Sequence, residues 1–167
     1  MSETVIQVTS LGKRIKVKTI LEDISFEINQ GDCVALIGPN GAGKTVLMSC
    51  ILGDKKPSSG QVLIDGKAGK AKNKIAVLLQ ENTIPNSLKV EELIAFFQSI
   101  SDNPLTNQEV QDLLQFKEDQ YQQFADKLSG GQRRLLAFVL CLIDKPKILF
   151  LDEPTAGMDT STCLLYT

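Results

Sequence analysis

The chain has 167 residues, 43% hydrophobic and 23% charged, the balance of one ordinary soluble globular domain rather than a disordered or fibrous chain. Its net charge of −2 gives no basic footprint to argue for nucleic acid as the main partner. The densest apolar stretch, LLAFVLCLI at 135–143, is about half of what a bilayer span requires, and the opening MSETVIQV has neither the basic nor the apolar region of a signal peptide.

Residues 4–9 (TVIQVT) and 24–28 (ISFEI) alternate apolar and polar side chains, which predicts half-buried antiparallel strands. CVALI at 33–37 is a continuous apolar run closed by glycine, the pattern of a strand buried on both faces. After the loop at 38–43, residues 44–52 fit a helix stopped by Gly53. KKPSSG at 55–60 reads as a loop, and 62–64 and 75–79 as short strands. From 90 to 116 the segments VEELIAFFQSI and NQEVQDLLQF have helical periodicity, with Asn103-Pro104 between them. A further helix is predicted from about 129 to 143. KILFL at 147–151 returns to the pattern of a buried strand and is closed by Asp152, Glu153 and Pro154. The sequence therefore predicts a helical insert between two parts of an α/β sheet. Four cysteines, at 33, 50, 141 and 163, have no CxxC spacing and no histidine to complete a zinc site. They read as free thiols in a reducing cytosol, with Cys33, Cys50 and Cys141 acting as small hydrophobes inside apolar runs.

GPNGAGKT at 38–45 fits GxxxxGK[ST], the P-loop, and has the required setting of strand before and helix after. Glycines let backbone N–H groups converge on phosphate oxygens, and the following helix offers its positive end. The expected nucleotide contacts are Gly38, Pro39, Asn40, Gly41, Ala42, Gly43, Lys44 and Thr45, with Val46 behind them. Lys44 is expected to reach the β- and γ-phosphates, and the Thr45 hydroxyl to bind Mg²⁺. A second candidate is the pair of acids closing the strand at 148–151. Ligands of an open α/β sheet lie beyond the carboxyl ends of its strands, and adjacent strand residues face opposite ways. Asp152 is then a natural Mg²⁺ ligand, which leaves Glu153 to polarise an attacking water.

LSGGQ at 128–132 poses a separate question. Ser129 can cap the helix that follows, yet two glycines behind a cap weaken a helix by about 1 kcal/mol each relative to alanine. They bare the backbone, so this tip is a second anion-facing surface. The chain already holds phosphates at 38–45, which points to a nucleotide belonging to another molecule. Arg133 and Arg134 read equally as solvated surface residues.

With Gln80 and the later Asp159, these segments fall in an order that resembles the ATP-binding cassette (ABC) ATPases over nearly the whole chain. The resemblance implies a P-loop NTPase of α/β class: a mixed sheet with an N-terminal antiparallel β-subdomain and a helical insert. It implies one domain, with the catalytic core at 1–81 and 144–167 and the helical subdomain at 82–143. It further implies that ATP and Mg²⁺ are clamped between two cassettes. Ser129, Gly131 and Gln132 would contact the ATP of the second ABC ATPase subunit. Gln80 would sense Mg²⁺ and a transmembrane permease, and Asp159 would couple the two sites. Lys44, Gln80 and Glu153 are the expected catalytic residues. The implied place is the inner face of the cell membrane, held there through the permease.

The implied function is the ATPase subunit of a membrane transporter, a bacterial exporter of drug or peptide type. Two alternatives stand beside it: a soluble ABC ATPase acting on ribosomes or DNA, and a non-catalytic remnant. Three features depart from the family pattern. The position expected to hold an adenine-stacking aromatic is Leu11, with Val17 as a further apolar contact. No histidine is present to meet the γ-phosphate. The uncharged CLLYT at 163–167 stands where a charged amphipathic helix is expected, as a premature stop, a frameshift or a deliberate truncation would leave it. Weak nucleotide binding, slow turnover and an unprotected sheet edge are the corresponding expectations.

Overall fold

A computed structural model describes residues 3–68, 75–79 and 84–152. The chain divides into two compact units, Met1–Lys72 and Asn73–Thr167.

The first unit is built on a sheet of β1 (Thr4–Ile15), β2 (Lys18–Asn29), β3 (Ser59–Ile64) and β4 (Lys67–Ala68), in the order β2-β1-β3-β4. All three pairings are antiparallel, as the alternation at 4–9 and 24–28 predicts. In β2 the alternation is read directly: Ile24, Phe26 and Ile28 are half-buried, and Ser25 and Glu27 are exposed. β1 and β2 run several residues beyond the predicted spans, because a two-residue turn at Lys16 and Val17 joins them with Ile15 opposite Lys18. Lys16 has φ 55°, as the favoured hairpin turns require. Register shifts interrupt β1, one of them between Val8 and Leu11. They let Val5, Ile6, Val8 and Leu11 all turn inward, which strict alternation would forbid. β3 follows β1 closely at Gly60, where φ is 73° and a Cβ would overlap the carbonyls of Thr9 and Ser10. A helix, α1 (Lys44–Ile51), buries Leu47, Cys50 and Ile51 and stops at Leu52 and Gly53, as its sequence predicts.

One predicted element is corrected. Residues 33–37 form no strand and are exposed, with Ile37 at 90% and Val34 at 59% exposure. A run of this kind becomes a buried strand only when a neighbour pairs with its backbone and side chains cover its faces. Among the described residues of this unit, no strand pairs with it. Cys33 is consequently exposed, not a packed hydrophobe, whereas Cys50 is buried.

The second unit contains a parallel pair, β5 (Ile75–Leu78) and β6 (Ile148–Leu151), in register from Ile75 opposite Ile148 to Leu78 opposite Leu151. Between them in sequence lie α2 (Val90–Ser99), α3 (Asn107–Leu114), α4 (Glu118–Tyr121), a 3-10 turn at Ala125–Lys127 and α5 (Gly130–Leu142). α2, α3 and α5 match the periodicity of the sequence. α4 and the 3-10 turn are too short to leave a periodic signal. Val90, Leu93, Val110, Leu114, Leu136, Val139 and Ile143 pack into one core, each at 2% exposure or less. Each such side chain contributes about 1.5–3 kcal/mol by leaving water. β6 departs from its predicted burial: Ile148, Leu149 and Phe150 are half-buried and Leu151 is exposed. Among the described residues of this unit the sheet has only two strands, too few to enclose an inner strand.

Candidate functional site

The P-loop at 38–45 follows the exposed, strandless run 33–37, so the strand expected before it is not formed, and it leads directly into α1. Gly41 and Gly43 have φ of 82° and 94°, a region that side chains with a Cβ avoid. At Gly43 the requirement is double, because a Cβ there would lie 2.9 Å from Leu21 Cδ2 and 3.2 Å from both Ile20 Cγ2 and the Ile20 carbonyl oxygen. The loop is closed by the Ala42 N–H, which donates to the Pro39 carbonyl at 3.2 Å. Lys44 turns back over the loop, its Nζ donating to the carbonyls of Gly38 at 2.6 Å and Pro39 at 3.0 Å. No side chain caps α1, and no acid stands in its first turn. Residues 38–42 and Thr45 are exposed. The tip thus presents backbone amides and an ammonium group to solvent, the donor set that an anion of several charges requires.

The tip of α5 is built differently. Ser129 is the cap, its Oγ accepting from the Gln132 N–H at 3.2 Å. The Gln132 side chain reaches back, its Oε1 accepting from the Ser129 N–H at 3.0 Å. This is a closed capping box, and its S-x-x-Q signal is present in the sequence. Gly131 lies within the same first turn and is partly exposed. The next residues do not behave as a solvated surface pair. Arg133 Nε donates to the Ala125 carbonyl at 3.2 Å. Arg134 is only 7% exposed, and its guanidinium donates to the carbonyls of Leu79 and Asp152. No sequence signal distinguishes these arginines from surface ones.

Asp152 follows β6 directly, is half-buried, and donates its N–H to the Leu78 carbonyl at 2.9 Å. Thus the acid expected to bind metal is anchored by the last rung of the β5–β6 ladder. Gln80, Glu153 and Asp159, together with Cys163, lie outside the described residues. Among the described residues, no cluster of three His, Cys, Asp or Glu side chains forms a metal site. Leu11 corrects another expectation: it is fully buried in the first unit and presents nothing to a base. Val17, at the hairpin turn, is fully exposed.

The family model described as "ABC transporter" matches residues 21–156. The chain is 34% identical over 158 residues to a spermidine/putrescine import ATP-binding protein of Protochlamydia amoebophila, covering 89% of this chain and 42% of that one. It is 33% identical over 169 residues to a Nod factor export ATP-binding protein of Ralstonia nicotianae, covering 95% and 52%. The chain spans about half the length of the curated relatives it matches. Among solved structures, a dimeric bacterial ABC transporter cassette superimposes with a TM-score of 0.78 at 21–22% identity, over 96% of this chain and 78% of that one. That likeness establishes the fold as the P-loop NTPase cassette, with an antiparallel N-terminal sheet and a helical portion. Among the described residues, no helix is long and apolar enough to cross a membrane.

Proposed function

The chain belongs to the ABC transporter family, and from that premise we propose that it binds and hydrolyses ATP as the ATPase subunit of a membrane transporter. The observation that carries this reading is the P-loop tip: an uncapped α1, glycines with positive φ, and Lys44 folded over the loop carbonyls. Lys44 holds its loop in shape through two carbonyls, and an arriving triphosphate competes for that same ammonium group.

The roles proposed for the remaining residues follow the family pattern. Residues 38–46 bind the phosphates. Thr45 and Asp152 are the Mg²⁺ ligands, with Gln80 as a further one; a hydroxyl, a carboxylate and an amide oxygen suit a hard cation that keeps several waters. The ion would neutralise phosphate charge. Glu153 orients and polarises the attacking water, and Gln80 links that chemistry to a transmembrane permease. Ser129, Gly131 and Gln132 meet the nucleotide of a second ABC ATPase subunit, and Asp159 couples the two sites. The helical segment at 82–143 faces the permease, and the chain works on the inner face of the membrane. Export of a drug or peptide is the finer reading. Importers and exporters stand among the relatives at nearly equal identity, so direction is decided by following substrate with the partner permease in vesicles.

The test is nucleotide binding and turnover by the full chain. Lys44→Ala should abolish ATP binding. Glu153→Gln should preserve binding, stop turnover and hold two copies together in the presence of ATP. Unchanged ATP affinity in the Lys44 variant would overturn the reading. So would turnover in the Glu153 variant equal to that of the parent.

A further inference from the structure

We propose that Arg134 is a positioning residue for ATP hydrolysis: it clamps together the ends of β5 and β6, from which the chain continues directly into Gln80 and Glu153. The proposal rests on the ATPase reading above and adds a residue to it. The β5–β6 ladder pairs Leu78 with Leu151 as its last partners, and the Asp152 N–H closes it on the Leu78 carbonyl. Among the described residues the ladder has no further rung in register. Arg134 supplies the connection: Nη1 donates to the Leu79 carbonyl, and Nη2 to the Asp152 carbonyl at 3.0 Å. One rigid, planar group therefore spans two backbone oxygens on two strands.

A buried guanidinium is costly unless its N–H groups are satisfied. At 7% exposure Arg134 is held to this geometry. The consequence is positional. Leu79 immediately precedes Gln80, and Asp152 immediately precedes Glu153. Arg134 stands four residues after Gly130, about one helical turn from the tip. The same helix therefore carries LSGGQ at its start and the clamp on this chain's own strand ends one turn later. A shift of α5 along its axis is transmitted to both carbonyls, which ties engagement of the tip to the placement of Gln80 and Glu153.

The test compares the full chain with Arg134→Gln and Arg134→Lys, using Lys44→Ala as the background for turnover. Both Arg134 variants should lose about tenfold to hundredfold in kcat, the scale set by a small misplacement of catalytic groups, with KM for MgATP unchanged. Lysine should not rescue, because a single ammonium on a flexible stem does not reproduce the rigid two-pronged fork. An unchanged kcat, a parallel change in kcat and KM, or full rescue by lysine would each overturn the clamp. If Arg134→Gln fails to fold, the lysine variant, which keeps charge and stem, carries the comparison. Turnover of the parent no higher than that of Lys44→Ala would instead defeat the ATPase reading. The clamp is then judged by amide exchange at 75–79 and 148–152, which must rise in the Arg134 variants while the α2–α3–α5 core stays protected. Equal exchange overturns it.

Discussion

Gly43→Ala is the sharpest test of how the P-loop is held. The residue has φ 94°, and the new Cβ would meet Leu21 Cδ2 at 2.9 Å and the Ile20 carbonyl oxygen at 3.2 Å. Left-handed backbone costs a residue with a Cβ about 1–2 kcal/mol. Overfilling a packed site adds about 1–3 kcal/mol. Alanine ordinarily recovers about 0.4–1 kcal/mol by restricting the unfolded chain, so the net loss is about 1–5 kcal/mol, centred near 3. The choice of probe matters. The chain has no tryptophan, and Tyr121, the tyrosine among the described residues, falls in the second unit. Intrinsic fluorescence therefore does not report on the first unit directly. Amide exchange across β1 and β2, at increasing urea, reads the unit that contains Gly43. A loss below about 1 kcal/mol would show that the loop can relax away from Ile20 and Leu21 and that the close approach is not required.

Other perturbations address the second unit. Leu136→Ala, at a position with no exposure inside the helical core, should cost about 2–5 kcal/mol in urea unfolding followed by tyrosine fluorescence. A loss within about 0.5 kcal/mol would contradict its place in that core. Ser129→Ala removes the Oγ that accepts from the Gln132 N–H and should cost about 1 kcal/mol in the same assay, with glycine costing less. The Glu109 carboxyl is held below its ordinary value of 4.5, first by the Thr106 N–H, then by the Thr106 hydroxyl. A depressed folded value means that its stabilisation is present above the unfolded value and is lost as the pH falls through the folded one. The urea midpoint should accordingly show an acid-side drop that Glu109→Gln reduces, and identical profiles would refute the assignment. Burial pushes the thiols of Cys50 and Cys141 up, so peptide-resolved alkylation of the native chain should label exposed Cys33 before either of them. Labelling of Cys50 as fast as Cys33 would contradict the packing of α1.

The legible parts of the sequence are those where local chemistry decides the structure. The alternation in 24–28 finds β2, the apolar spacing finds α2, α3 and α5, and Ser129 is correctly read as a cap. A second capping box was equally readable: Thr106 and Glu109 have the T-x-x-E spacing, and the Glu109 carboxylate accepts from the Thr106 N–H at 2.7 Å. What was not legible depends on distant neighbours. CVALI at 33–37 has the composition of a buried strand, but composition does not say whether another strand pairs with it. Leu11 has the sequence position of a base-contacting residue, yet the register shifts in β1 turn it into the core. Arg134 carries the charge of a surface residue, and only the meeting of β5, β6 and α5 creates two carbonyls for it to bridge.

The two helix tips have different physical chemistry, and the difference orders the proposed events. The α1 tip has no side-chain cap, so an anion arriving there displaces only water and the internal bonds of Lys44. The α5 tip is already closed by Ser129 and Gln132. Both side chains act there as acceptors, so the Ser129 hydroxyl and the Gln132 side-chain N–H groups can still donate to an anion, but the backbone N–H groups of Ser129 and Gln132 are already taken. A free nucleotide therefore has the advantage at 38–45. The α5 tip is suited to an anion whose position another surface has already fixed, because the entropy of capture has then been lost elsewhere. Under the proposed function that anion is the terminal phosphate on a second subunit's P-loop. On that proposal, binding at the loop comes first and the α5 tip engages as the pair closes.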